Sequence, residues 1–123
     1  MIIKTAIERI FVLTEDEKLS IDLVAILNNH GISSYASNNI IESFNLLNHN
    51  RQQAIIVDAS ITNICVLDII EKIKINNPDN IIILLLDKDT KQKRMYKNYG
   101  IHNFLKKPFQ FKRLKEILSK YYI

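Results

Sequence analysis

Four charged residues of this 123-residue sequence each come directly or almost directly after a short apolar segment: Glu15, Asp58, Asp87 and Lys107. If those segments are parallel strands, their carboxyl ends meet at one edge of a sheet, which is where such folds place their sites. Carboxylate oxygens are ligands that magnesium prefers, and a lysine neutralises phosphate charge. The spacing therefore indicates chemistry on a phosphoryl group beside a divalent cation.

The segments that must position these residues alternate between strand-like and helix-like patterns. Short apolar strands are predicted at residues 10–13, 33–36, 54–57, 81–86 and 103–106. Amphipathic helices are predicted at 18–29, around Ile40, Phe44 and Leu47, from 66 to a point before Pro78, at 91–99 and at 111–122. Apolar strands without polar alternation are buried on both faces. The sequence thus predicts an α/β fold, a doubly wound, mainly parallel sheet of five strands with five helices.

Composition excludes several other classes of protein. Hydrophobic residues make up 47% and charged residues 24% of the chain, as in an ordinary globular protein, and the length suits a single domain over residues 1–123. The longest apolar run, 81–86, is too short for a membrane span, and the first residues do not resemble a signal peptide. The single Cys65 excludes an internal disulfide, and three scattered histidines disfavour a zinc site. A cytoplasmic location is therefore expected.

The net charge of +4 hides a strong division along the chain. Residues 1–87 contain six Lys and Arg against eleven Asp and Glu, a net charge of −5, whereas residues 88–123 contain eleven against two, a net charge of +9. Such asymmetry is typical of proteins that use one charged face for association.

Two segments resemble the receiver domains of bacterial two-component response regulators. The first is Val57-Asp58 at the end of an apolar strand, and the second is GIHNFLKKPF at residues 100–109, similar to the glycine, aromatic and lysine-proline-phenylalanine ending of that family. Residues 11–19 resemble its first strand, acidic pocket and first helix. The resemblance covers nearly the whole chain and implies a flavodoxin-like fold with strand order 2-1-3-4-5.

The resemblance also implies roles for particular residues. Asp58 matches the aspartate that accepts a phosphoryl group from a histidine kinase, and Lys107 matches the lysine that contacts that group. Glu15 falls on the carboxylate that touches magnesium. Leu86 falls on the Ser or Thr whose hydroxyl drives the switch, and Phe104 falls on the aromatic residue that reorients with it.

Four positions depart from the family pattern. Thr14 replaces an acid and removes one charge from the metal pocket, and Glu15 has a longer side chain than the usual Asp. Leu86 has no hydroxyl, and Asp87 stands where relatives have a very small residue, so that it would crowd and repel a phosphoryl group. We therefore expect weak or no phosphorylation at Asp58, weak magnesium binding, and a permanent ionic network of Lys107 with Asp58 or Glu15.

Two functions of different class follow. The chain is interpreted as a signalling module with little or no phosphorylation, and the alternative is a competent magnesium-dependent phosphoacceptor. At most it would catalyse its own phosphorylation, and a metabolic flavodoxin-like enzyme is disfavoured because the first turn lacks phosphate-cradling glycines. The predicted partner face lies on the fourth helix, fifth strand and final helix and includes Lys91, Arg94 and Lys97. It would bind a histidine kinase, another acidic signalling protein or a second copy; no nucleic-acid motif is recognised.

Overall fold

The computed structural model describes residues 9–39, 42, 43, 45, 54–87 and 91–121. Its five strands are β1 (Arg9–Leu13), β2 (Ser33–Ser37), β3 (Ala54–Asp58), β4 (Ile81–Leu86) and β5 (Asn103–Lys106). The helices of this part of the chain are α1 (Glu17–Asn29), α2 (Val66–Asn76), α3 (Lys91–Asn98) and α4 (Phe111–Ser119). All strands are parallel, in the order β2-β1-β3-β4-β5.

The three central strands are apolar on both faces, because each face of the sheet carries its own helical layer. Alternate residues of a strand point to opposite sides, so Phe11 and Leu13 join one core and Ile10 and Val12 join the other. The first core includes the buried residues of α2, and the second includes those of α1 and α4. This two-sided burial fixes the strand ends, and with them the loops that follow.

The strand order predicted from the sequence is confirmed, and so is the parallel α/β class. Four helices have both ends within the described residues. Glu42, Ser43 and Asn45 are also helical, and they fall where the remaining helix was predicted. The additional helix was predicted from Ile40, Phe44 and Leu47, and these three residues lie outside the part of the chain that the structure describes. Within the described part, no helix is both long enough and apolar enough to cross a membrane.

Candidate functional site

The carboxyl edge of the sheet brings together four of the predicted site residues. Thr14 follows β1, Asp58 ends β3, Asp87 follows β4 and Lys107 follows β5. Two backbone bonds hold the loops against their neighbouring strands: the Ala59 amide donates to the Leu85 carbonyl at 2.9 Å, and the Lys107 amide donates to the Leu86 carbonyl at 2.7 Å. The Lys107–Pro108 peptide bond is cis.

Both carboxylate oxygens of Asp58 are bound within the chain. Asp58 is 3% exposed, and its Oδ2 accepts a 2.6 Å hydrogen bond from Oγ1 of Thr14, which is fully buried. Its Oδ1 accepts from Lys107 Nζ at 2.8 Å and from the Ser60 amide at 2.9 Å. Thr14 Oγ1 in turn accepts from the amide of Asp16, the residue that caps α1. These donors satisfy the hydrogen-bonding capacity of both oxygens of this buried carboxylate.

Asp87 shares the lysine with Asp58. Lys107 Nζ lies 3.2 Å from Asp87 Oδ1 and 3.3 Å from Ser60 Oγ, and the Ser60 hydroxyl donates to Asp87 Oδ2 at 2.6 Å. Asp58, Ser60, Asp87 and Lys107 therefore form one network that joins the loops after β3, β4 and β5. We call these four residues the lysine network.

Opposing effects act on the pKa of Lys107. Burial alone would lower the pKa of this ammonium group, because desolvation disfavours the charged form. The hydrogen bonds and negative charges of Asp58 and Asp87 outweigh burial and raise the pKa above its ordinary value. The lysine is thus fully charged at neutral pH.

Glu15 is held by the loop after β3. Its Oε1 accepts hydrogen bonds from the amide and the hydroxyl of Thr62, in the loop after β3. Thr14 is uncharged, and both oxygens of Asp58 are already engaged. Across the described residues, no three His, Cys, Asp or Glu side chains gather in a way that could hold a metal ion. The two acids predicted to hold magnesium, Glu15 and Asp58, are thus each engaged by donors of the chain itself.

The two predicted switch positions lie beside this network. Leu86 is 3% exposed and packs in the core on the α2 side of the sheet. Phe104 on β5 is half-buried against the same core, and Lys93 Nζ lies 5.4 Å from the centre of its ring. That separation suits a cation–π contact, which anchors Lys93 over β5.

A basic groove lies between α3 and α4, across β5. Its volume is about 340 Å³, and its lining includes Lys93, Lys97, Arg113, Lys120 and Phe104. Among the described residues of the lining, Glu116 is the single acid, and its carboxylate lies 3.5 Å from the Arg113 guanidinium. Of the predicted partner face, Arg94 and Lys97 are exposed on α3, whereas Lys91 begins that helix and its side chain lies outside the described part.

Sequence reasoning missed the contacts made by two hydroxyl residues of the loop after β3. Ser60 connects the backbone beside Asp58 to Asp87 and Lys107, and Thr62 holds Glu15. The only sequence signal for Ser60 is its position two residues after Asp58, where a serine amide and hydroxyl can turn back toward the carboxylate. On the basic side, Arg113 and Lys120 of the groove belong to the cation-rich last third of the sequence.

The response regulator receiver domain is the family whose model matches this chain, over residues 10–119. No curated protein matches the sequence. Among solved structures, the Vibrio cholerae chemotaxis protein CheY4 has a TM-score of 0.84 at 16% identity, with 94% of this chain and 99% of that chain covered.

Two further structures share the fold at low identity. A response regulator from Burkholderia pseudomallei, solved with a phosphorylated aspartic acid, a calcium ion and citrate, has a TM-score of 0.81 at 21% identity over 90% of this chain and 66% of that chain. The co-crystal structure of the Saccharomyces cerevisiae phosphotransfer protein Ypd1 with the Ssk1 receiver domain has a TM-score of 0.78 at 16% identity over 94% and 89%.

Proposed function

This chain belongs to the response regulator receiver domain family and is a signalling module of the two-component type, and we propose that it works with little or no phosphorylation of Asp58. One observation carries the proposal: the acceptor carboxylate is buried, with Thr14 on one oxygen and Lys107 on the other. Before an oxygen of Asp58 could attack phosphorus, it would have to break its hydrogen bond with one of these partners. Charge-assisted bonds of this kind are the stronger ones, so that step is unfavourable.

Leu86 supports the same proposal through the switch. In this family a hydroxyl at this position donates a hydrogen bond to the phosphoryl group and so drives the switch. A leucine side chain cannot donate such a bond. A phosphoryl group on Asp58 would consequently have no partner on β4 through which to change the conformation. The module would then signal through the presence of its partner-binding face and not through a change in that face.

Asp58→Asn tests the proposal, and we expect it to preserve the fold and the signalling output. The amide oxygen can still accept from Lys107, so the expected loss is about 1 kcal/mol of unfolding free energy. Urea unfolding, partner binding and output in cells are measured for the wild type, Asp58→Asn and the exposed control Asp22→Asn. Loss of output in a folded Asp58→Asn protein, with Asp22→Asn unaffected, would favour the phosphoacceptor.

The second candidate function is the magnesium-dependent phosphoacceptor. Asp58 and Lys107 lie together at the carboxyl edge as that chemistry requires, and the Burkholderia pseudomallei relative contains a phosphorylated aspartic acid. Members of this family typically bind magnesium at the phosphorylation site. In this chain the uncharged Thr14 and the Glu15–Thr62 contact support weaker binding, because a hard cation needs several anionic oxygens.

Magnesium is expected to bind weakly, with no saturation in the sub-millimolar range. Amide shifts near Glu15 and Asp58 are followed during a magnesium titration of the wild type and of Glu15→Gln. The two proteins should respond alike, since the Glu15 carboxylate is occupied by Thr62. Sub-millimolar saturation that is lost in Glu15→Gln would overturn this expectation.

We also propose that the basic groove and the exposed cations of α3 form the partner surface, and that an acidic signalling protein binds there. Four cations with one acid create a positive potential that steers an anionic partner. A histidine kinase with an acidic docking face fits this requirement. A second copy of this chain would have to present its acid-rich side, because two identical basic faces repel each other.

Charge reversal should weaken association with an acidic probe by about tenfold or more, through slower association. A labelled polyglutamate peptide is titrated with the wild type and with the triple variant Lys91→Glu, Arg94→Glu, Lys97→Glu at rising salt. Exposed charges are screened beyond roughly 10 Å at 0.1 M salt, so binding should weaken steeply.

In the same experiment, single variants distinguish the effect of a charge within the groove from the effect of the net charge of the protein. Lys97→Glu and Lys18→Glu have the same net charge, but Lys18 lies on α1 with its side chain 89% exposed. Equal weakening by both would show that only net charge matters and would remove the case for a specific surface. Tighter binding to duplex DNA than to the peptide, with a strong salt slope, would indicate nucleic-acid phosphates instead.

A further inference from the structure

The carboxylate of Asp87 engages the donors that an incoming phosphoryl group would need. Its Oδ2 accepts from the Ser60 hydroxyl at 2.6 Å, and its Oδ1 lies 3.2 Å from Lys107 Nζ. The same two residues contact the acceptor, since the Ser60 amide and Lys107 Nζ both bind Asp58 Oδ1. Asp87 therefore stands beside Asp58 and shares its donors.

The chain itself supplies the cation at this edge, and two carboxylates share it. Lys107 is the cation between the two carboxylates, and its raised pKa reflects both of them. A phosphoryl donor is a polyanion, and it would have to displace Asp87 from the lysine while approaching two like charges. The side chain of Asp87 is 61% exposed and that of Asp58 only 4%, so Asp87 is the outer anion that the donor meets first.

We infer that Asp87 acts as an internal anion in the place of the phosphoryl group, and that it determines whether Asp58 is accessible to a phosphoryl donor. The inference rests on the proposed function and names the residue that enforces it. Its carboxylate ties the loop after β4 to Ser60 and Lys107, the two residues that also bind Asp58. Removal of Asp87 releases the hydroxyl of Ser60 and one contact of Lys107.

The test uses acetyl phosphate with magnesium as the phosphoryl donor and intact mass as the measurement. In the reaction an Asp58 oxygen forms a bond to phosphorus while the bond from phosphorus to the acetate oxygen breaks, and acetate leaves with the electron pair. The variants are Asp87→Ala and Asp87→Asn, the latter keeping the size without the charge. Asp22→Ala is the matched control, because Asp22 is 57% exposed and also pairs with a lysine, Lys18.

We expect Asp87→Ala to gain one phosphoryl group at least tenfold faster than the wild type or Asp22→Ala. Asp87→Asn should lie between them, and Asp87→Ala with Asp58→Asn should gain none. Circular dichroism verifies the fold, and Asp87→Asn replaces Asp87→Ala if the latter is unfolded. Chemical shifts of Ser60 and Lys107 should change in both Asp87 variants before donor is added.

The outcomes separate this inference from the proposed function. Rapid phosphorylation of the wild type, with a further gain in Asp87→Ala, would overturn the proposed function and support the role of Asp87. A wild type and an Asp87→Ala variant that both stay unmodified would overturn the role of Asp87 and leave Thr14 and Leu86 as the cause. Equal rapid phosphorylation of both would overturn both.

Discussion

Replacement of Lys107 by methionine is expected to lower the free energy of unfolding by about 3 kcal/mol at neutral pH. The change leaves the Asp58 carboxylate buried without its cation, and removal of one partner from a buried ion pair typically costs about 3–5 kcal/mol. The lower end applies because Thr14 and the Ser60 amide still donate to Asp58, and because Lys107 is itself 21% exposed. Urea unfolding at pH 7 measures the effect.

A double-mutant cycle identifies the cause of that loss. Addition of Asp58→Asn to Lys107→Met removes the unpaired charge, so the double variant should be more stable than Lys107→Met, with a coupling energy of about 2 kcal/mol. Coupling near zero would mean that the lysine stabilises the protein through its packing alone. A Lys107→Met variant as stable as the wild type would show that the lysine network does not contribute to stability.

The stability that the Lys107–Asp58 ion pair contributes should decrease at high pH. The pKa of Lys107 is raised in the folded state above the ordinary 10.5, because the hydrogen bonds and charges of Asp58 and Asp87 outweigh burial. The ion pair therefore contributes fully below pH 10.5 and is lost as pH rises through the folded pKa. The stability difference between wild type and Lys107→Met should stay constant from neutral pH to that point and shrink above it.

Thr14→Asp should have the second largest effect, because it places a second carboxylate against Asp58. Thr14 is fully buried and donates to Asp58 Oδ2, so the variant exchanges a hydrogen bond for like-charge repulsion. We expect a loss of about 2–3 kcal/mol of unfolding free energy without divalent cations, from a lost charge-assisted hydrogen bond and an unpaired buried acceptor. Millimolar magnesium should recover part of it, since cation binding to the folded state alone stabilises that state.

Thr14→Asn is the matched control, because it has the size of Asp without the charge and can still donate to Asp58. Thermal unfolding of the wild type and of both variants is followed with magnesium and with a chelator. Only Thr14→Asp should respond to magnesium. An equal response of all three proteins would mean that cation binding does not depend on the charge at this position. The uncharged Thr14 would then not explain weak magnesium binding.

The strands could be predicted from sequence because few alternatives suit their residues. A run such as Ile81–Leu86 has no polar residue to expose, and a parallel sheet with helices on both sides buries it completely. The positions of Asp58 and Lys107 follow from the same argument, since parallel strands end at one edge. Ile40, Phe44 and Leu47, from which a further helix was predicted, lie outside the described residues.

The contacts within the site depend on side-chain directions that no local pattern determines. Glu15 follows β1 as predicted, but its carboxylate accepts from the Thr62 amide and hydroxyl, two donors that the sequence pattern did not indicate. Asp87 was expected to repel an anion, and its hydrogen bond with Ser60 depends on a loop 27 residues earlier in the chain. Such pairings arise only when the loops are folded against each other, and propensity or spacing does not encode them.

The lysine network also has a consequence for local unfolding. The loops after β3, β4 and β5 share one ammonium group, so detachment of any one of them breaks contacts made by the other two. These loops would otherwise fray separately, each with its own small opening free energy. Because Lys107 joins them, we expect them to open as one cooperative unit, so that the amides of Ala59 and Lys107 should exchange with solvent at the same rate of opening.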